Sequence, residues 1–388
     1  MSVICRSKPP PRSGAISVMS AWLACVATCC GATGSARAED IPRVVAYVAS
    51  WSIPVTIDAA KLTHINFAFA HINARGEIAL DDSQAKEGLK RLLDLKRINP
   101  QLKVLVSVGG WQAEGFSDAA LTQVSRRAFA HSAVELLREL SLDGVDLDWE
   151  YPGQGIAGIK YRAEDKHNFT ALLKTLREEL ETADRKRGGP GRYLLTIAAA
   201  DREYFDHTEM DKLHGFLDWI NVMSYDFFNS LTPTTGHHAG LYRSSHAAAT
   251  DRNADAAVKQ YLAAGVPAHK LVLGVAFYGR GFAGVQPQNR GLNQPYERFE
   301  AEHSYAELVE KFIGKQGFER YWDETAQAPY LWNAASRTFI SYDDVQSIGI
   351  KASYVAAHRL GGMMFWELSQ DHEGELLSVL AQQLHGRR

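Results

Sequence analysis

The stretch Asp143-Gly144-Val145-Asp146-Leu147-Asp148-Trp149-Glu150-Tyr151-Pro152 decides both the fold and the chemistry of this 388-residue chain. With the two-residue period of a strand, Asp146, Asp148 and Glu150 share one face, and Val145, Leu147 and Trp149 share the other. An acidic strand standing in solvent would not carry Val, Leu and Trp opposite its charges, so the apolar face is enclosed. In a closed barrel that face packs on helices, and the carboxylates point inward, climbing the bore. Inward carboxylates destabilise unless they are paired, protonated or metal-bound, so stability is not what they serve. Their mutual repulsion raises at least one pKa, and a carboxyl still protonated near neutral pH beside charged neighbours is what acid catalysis requires.

Outward from this strand, short β-branched runs alternate with amphipathic stretches from residue 43 onward, the pattern of repeated βα units. Strands are predicted over 43–50, 64–70, 103–109, 144–150, 193–199, 219–225, 270–278 and 362–367. Helices are predicted over 125–140, 165–181 and 85–98, the last with a Leu89, Leu92, Leu93, Leu95 stripe and Pro100 past its end. Eight parallel strands alternating with helices predict an α/β protein, a (β/α)8 barrel whose active site lies at the carboxyl ends of its strands. One interval breaks the rhythm. Residues 282–342, between the seventh and eighth strands, mix a helical piece (305–313) with strand-like pieces (318–323, 329–333, 337–341). They are expected to form a small inserted α+β subdomain, leaving 39–281 and 343–388 as the barrel.

The acidic strand has a competing reading, because Asp-x-Asp-x-Glu supplies oxygen ligands of the kind calcium or magnesium takes. A helix-loop-helix calcium site needs a glycine turn and an acidic residue about twelve positions from the first, and both are missing. No histidine pair stands nearby at zinc spacing, and no metal or cofactor is expected. The motif from Asp143 to Glu150 instead resembles the signature of the chitinases of glycoside hydrolase family 18. Ser107-Val108-Gly109-Gly110-Trp111 resembles the family's third-strand motif, Met223-Ser224-Tyr225-Asp226 its sixth, Tyr278-Gly279-Arg280 its seventh, and Trp366 its closing tryptophan. Order and spacing match over roughly residues 42–375, and the insertion is similar to that of deep-cleft members.

The resemblance implies retaining hydrolysis of β-1,4-linked N-acetylglucosamine polymers in which the substrate's own 2-acetamido oxygen is the nucleophile. Glu150 would be general acid and then base, Asp148 would orient the acetamide, Asp146 would share a proton with it, and Tyr225 would hydrogen-bond the acetamide oxygen. Asp226, Tyr278 and Arg280 would hold the sugar, Met223 belongs to the same binding set, and Trp366 would floor the reacting ring. Asp143, of opposite strand parity, is read as structural. Many relatives carry a tryptophan shortly after Tyr225-Asp226-Phe227, where this chain has Phe228-Asn229-Ser230-Leu231, so the leaving-group side is expected to be built differently.

Independently of any family, Tyr47, Trp51, Phe69, Trp111 and Trp366 fall at or near strand ends, and the CH face of a pyranose packs on a flat ring. Each alone is equally explained by core packing. Trp322 and Trp332 are weaker, and Trp219 is assigned to the core. Gly109-Gly110 suggests close backbone approach, with Gly110 lining the site. His237-His238 is a poor metal site, since adjacent side chains seldom point at one ion.

The first residues differ in character from the rest. Arg6, Lys8 and Arg12 precede an apolar run over 15–32, then Ser35-Ala36-Arg37-Ala38 and Glu39-Asp40. That order reads as a secretory signal over 1–38, cleaved after Ala38, with lipid anchoring through Cys25 a minor alternative and a secreted product expected. All four cysteines (Cys5, Cys25, Cys29, Cys30) lie in the leader, so the mature protein would hold no disulfide. The leader's four basic residues take the formal charge from −3 to about −7, which argues against nucleic acid as a partner and for a neutral one; the family resemblance implies chitin or chitooligosaccharides. No membrane association after cleavage is expected, and a monomer is. Two other readings stand beside the chitinase: an inactive chitin-binding lectin, which would normally lack the acid at Glu150, and a hydrolase of peptidoglycan or N-glycan chitobiose cores, which would normally lack the insertion.

Overall fold

The structure is a computed structural model that describes residues 41–81, 83–188 and 191–386; the leader and its cysteines lie outside the described residues. Strands β1 (Arg43–Ala49), β2 (His64–Ile72), β4 (Lys103–Gly109), β5 (Gly144–Asp148), β6 (Leu194–Ala199), β7 (Trp219–Val222), β8 (Leu271–Ala276) and β14 (Gly362–Trp366) pair parallel in that order. The ring closes through β14 with β1, Val45 lying opposite Met364. The expected eight-stranded barrel is therefore present. A two-residue strand β3 (Ile78–Ala79) adds antiparallel to β2.

These segments are strands because their apolar residues are buried on both sides, as parallel sheets demand. Val44, Ala46, Val106, Leu147 and Ile197 pack outward against helices such as Gln123–Leu140 and Asp165–Arg187. The second of these helices presents Phe169, Leu172, Leu173, Leu176 and Leu180, each worth about 1.5–3 kcal/mol when fully buried. The lumen has its own packed set, Val45, Leu105, Val272, Met364 and Trp219, with the Arg43 guanidinium 4.8 Å above the Trp219 ring. Trp219 is core, as read from the sequence.

A second sheet, antiparallel and five-stranded, stands between β8 and β14: β9 (Tyr278–Ala283), β10 (Arg298–Ser304), β11 (Glu319–Asp323), β12 (Ala328–Asn333) and β13 (Thr338–Ser341). It begins at Tyr278, four residues before the boundary drawn from the sequence. Ala276 still pairs with Trp366 of the barrel, whereas Tyr278 already pairs with Ser304 of β10, so one continuous apolar run serves two sheets. The sheet grips the loop after β7. Thr235 N–H donates to the Gln294 carbonyl at 2.9 Å, and the Tyr296 hydroxyl to the Thr232 carbonyl at 2.6 Å.

Candidate active site

Strand β5 ends at Asp148, and Trp149 and Glu150 leave the sheet, two residues earlier than the expected 144–150. Parity survives that change. Trp149 faces outward, stacked 5.2 Å from Phe116 and edge-on to Phe169, while the carboxylates face the bore. At the opposite end Asp143 accepts from Val104 N–H at 2.8 Å and meets Lys96 at 2.5 Å, a structural tie.

Asp146 is fully buried and accepts from four side chains on four strands. These are the Tyr47 hydroxyl (2.7 Å), Ser107 Oγ (2.7 Å), Thr196 Oγ1 (2.5 Å) and Asn221 Nδ2 (3.2 Å). Burial raises its pKa against the pull of those donors. Asp148 is also buried, its Oδ1 has no hydrogen-bond partner among the described residues, and its pKa stands well above the carboxylate range, through burial and then the charges of Glu150 and Asp146. Its protonated form is thereby favoured. Glu150, only partly buried, is lifted by burial, restrained by a hydrogen bond with Tyr151 and lifted again by the Asp226 charge, reaching about 7. The site is a gradient: a carboxylate locked by donors at depth, a proton holder above it, and at the mouth a carboxyl poised near neutrality.

Asp226 behaves oppositely. Burial would raise it, but the His238 ring facing it and the hydrogen bonds and charge of Arg280 draw it far below the usual range. Arg280 on β9 grips it through Nε (2.8 Å) and Nη2 (2.7 Å), and its Nη1 meets Glu302 on β10 at 2.9 Å. Tyr225 lies among these charges, its ring edge-on to Tyr278 at 6.2 Å and its hydroxyl, among the described residues, reaching only Met364 Sδ, at 3.8 Å. Burial first, and then the carboxylates around it, keep that phenol protonated.

Trp366 closes the floor. Phe69 stacks on it at 5.6 Å, with Tyr47 at 5.8 Å and Trp51 at 6.4 Å. Trp51 is 69% exposed and Trp111 51%, both large rings left open at the strand ends. Three residues assigned to sugar contact do something else. Tyr47 is 2% exposed with its hydroxyl committed to Asp146, so it is a donor beneath the floor. Gly110 gives its N–H to the Asp148 carbonyl at 2.9 Å, and an added Cβ would lie 2.7 Å from the Phe69 ring, so its part is shape. Met223 packs between the outer core and the lumen. Trp332 is buried inside the second sheet, Trp322 lies under Arg320, and Phe227 and Phe228 are buried at the start of the segment where the expected tryptophan is missing. Sequence reasoning missed the donors Thr196 and Asn221, because single polar residues inside apolar strands give no pattern.

Among the described residues no group of three or more His, Cys, Asp or Glu side chains is placed to hold a metal ion. Residues 43–371 match the model of glycosyl hydrolases family 18. Chitinase A1 of Niallia circulans is 38% identical over 89% of this chain, which spans 59% of that protein's length. Chitinase B of Serratia marcescens is 33% identical, over 83% of this chain and 76% of its own. Among solved structures, a glycoside hydrolase family 18 N-acetylglucosaminidase from Paenibacillus barengoltzii superposes with a TM-score of 0.84 at 44% identity, covering 88% of this chain and 99% of that one.

Proposed function

The chain belongs to the glycosyl hydrolases of family 18, and from that premise we propose that it is a chitinase, hydrolysing β-1,4-linked N-acetylglucosamine polymers with retention of configuration. One observation carries the reading: of the carboxyls gathered at the mouth, Glu150 alone is both partly exposed and poised near pH 7. Asp146 is saturated by donors, burial and its charged neighbours favour the protonated form of Asp148, and Asp226 is bound to Arg280, so none of the three is free to act as an anionic nucleophile. The substrate's acetamide oxygen fills that role. It attacks the anomeric carbon while Glu150 gives its proton to the leaving oxygen. Water then opens the oxazolinium ion, losing a proton to Glu150. Asp148 orients the acetamide, sharing a proton with Asp146, and Tyr225, whose hydroxyl among the described residues meets only a weak sulfur acceptor, donates to the acetamide oxygen.

Trp366 and Phe69 supply the floor, and Trp51 and Trp111 the open rings on which further sugars stack. Residues 1–38 direct export and are removed, and the mature protein acts as a monomer. The test is hydrolysis of chitohexaose and colloidal chitin by wild type and Glu150→Gln, with and without EDTA, resolving anomers and product sizes. Short oligomers released with retained configuration, and a loss of at least about 10²-fold in the variant, are expected. Binding without cleavage by both proteins would make the chain a lectin, and loss of turnover to EDTA would overturn the mechanism.

A further inference from the structure

Two histidines adjacent in sequence part ways in the fold. His237 turns to the second sheet, with Nε2 3.1 Å from Asp323 Oδ2. His238 turns to the mouth, with Nδ1 3.5 Å from Asp226 Oδ1 and its ring 5.2 Å from that of Tyr278. It is fully buried; among the described residues neither ring nitrogen has a partner in good hydrogen-bond geometry, and the Asp226 carboxylate, 3.5 Å from Nδ1, is the acceptor that nitrogen faces. Around it stand Asp226, Arg280 behind that carboxylate, and the Tyr278 phenol.

The main chain that carries this ring is held from three directions. His238 N–H donates to Ser341 Oγ at 2.8 Å, its carbonyl accepts from Phe227 N–H at 2.9 Å, and the next carbonyl, of Ala239, accepts from Lys351 Nζ at 2.5 Å. Lys351 is paired with Asp343 at 2.6 Å, both side chains fully buried. Burying such a pair is costly, and neither partner reaches the reacting groups; what it secures is the place of residues 238 and 239. Asp226 needs holding, since its backbone lies at φ 57°, a left-handed conformation uncommon outside glycine.

We infer that His238 is a positioning residue for the hydrolysis: its Nδ1–H holds Asp226 in the rotamer that Arg280 grips, and so fixes the negative charge that stands beside Tyr225 and Glu150. The inference rests on the proposed hydrolase for its kinetic readout. Two variants of equal size separate donation from packing. His238→Asn places an amide N–H where Nδ1 stood, and His238→Leu removes the donor. His238→Leu should lose about tenfold in kcat/KM on chitotetraose, the scale of a hydrogen bond to a charged group, with His238→Asn within about threefold of wild type and similar thermal midpoints for both. In a Glu150→Gln background, calorimetric affinity for chitotetraose should follow the same order. Asp226→Asn, which removes the charged acceptor, should erase the difference between the two. Equal impairment of Asn and Leu, or impairment of neither, overturns the inference. If wild type binds chitotetraose without cleaving it, the hydrolase reading fails and the affinity comparison still decides the role of His238. Should the Leu variant not fold, His238→Met supplies the same loss of donor.

Discussion

Raising the pH is the most direct perturbation of the proposed acid. Glu150 reaches about 7 through burial and the charge of Asp226, against a restraining bond with Tyr151. A general acid acts only while protonated, so its contribution is complete below that pKa and is lost as pH rises through it. For one titrating group the protonated fraction is about 0.99 at pH 5, 0.5 at pH 7 and 0.01 at pH 9, and kcat/KM follows it. An unperturbed glutamate would bend near about pH 4.3, a difference of roughly 3–4 kcal/mol in proton affinity. The assay is initial-rate hydrolysis of chitotetraose from pH 4 to 9 at constant ionic strength, with Glu150→Gln in parallel. We expect a limb bending between about pH 6 and 8 and falling tenfold per unit beyond it, and a variant about 10²–10⁴-fold slower at pH 6 that lacks the limb. A wild-type curve that bends near 4.3, one that stays level to pH 9, or a variant that keeps the limb would each refute the assignment of that proton to Glu150.

The other expectations concern the scaffold that holds the site. Lys351→Met leaves Asp343 fully buried beside a lone Ser347 hydroxyl; it should cost about 3–5 kcal/mol, and Asp343→Leu added to it should restore most of the loss, both read by urea unfolding. A Cβ on Gly109, at φ 117°, would lie 2.1 Å from the Asp148 carbonyl, so Gly109→Ala should lose at least about 2 kcal/mol and also activity; unchanged stability and turnover would show that the backbones do not need to approach so closely. His64, lowered to about 3 by burial and by Arg43 and Lys103, stays neutral in the fold while the unfolded chain takes up a proton near 6.5. Stability is therefore complete above about pH 6.5 and falls by up to about 1.4 kcal/mol per unit towards pH 3. His64→Gln should remove about 2 kcal/mol of the loss between pH 6.5 and 5, and identical pH–stability curves would contradict the burial of a neutral ring.

Periodicity alone made the barrel legible, because strands buried on both faces read as apolar runs and the helices between them keep their stripes. It also exposed Asp146, Asp148 and Glu150, since strand parity is a local property and sets three carboxylates on one face against Val145, Leu147 and Trp149 on the other. Where β8 hands over to β9 was not legible: the run through Tyr278 is equally apolar in both sheets, and only pairing partners tell them apart. The division of labour among the acids likewise belongs to the tertiary structure. Four donors from four strands lock Asp146, burial and then the charges of Glu150 and Asp146 push Asp148 up, and Arg280 from the second sheet holds Asp226 charged. A pKa is set by what surrounds a group in space, and Tyr47, Thr196 and Asn221 come to Asp146 from distant parts of the chain, where no spacing rule connects them.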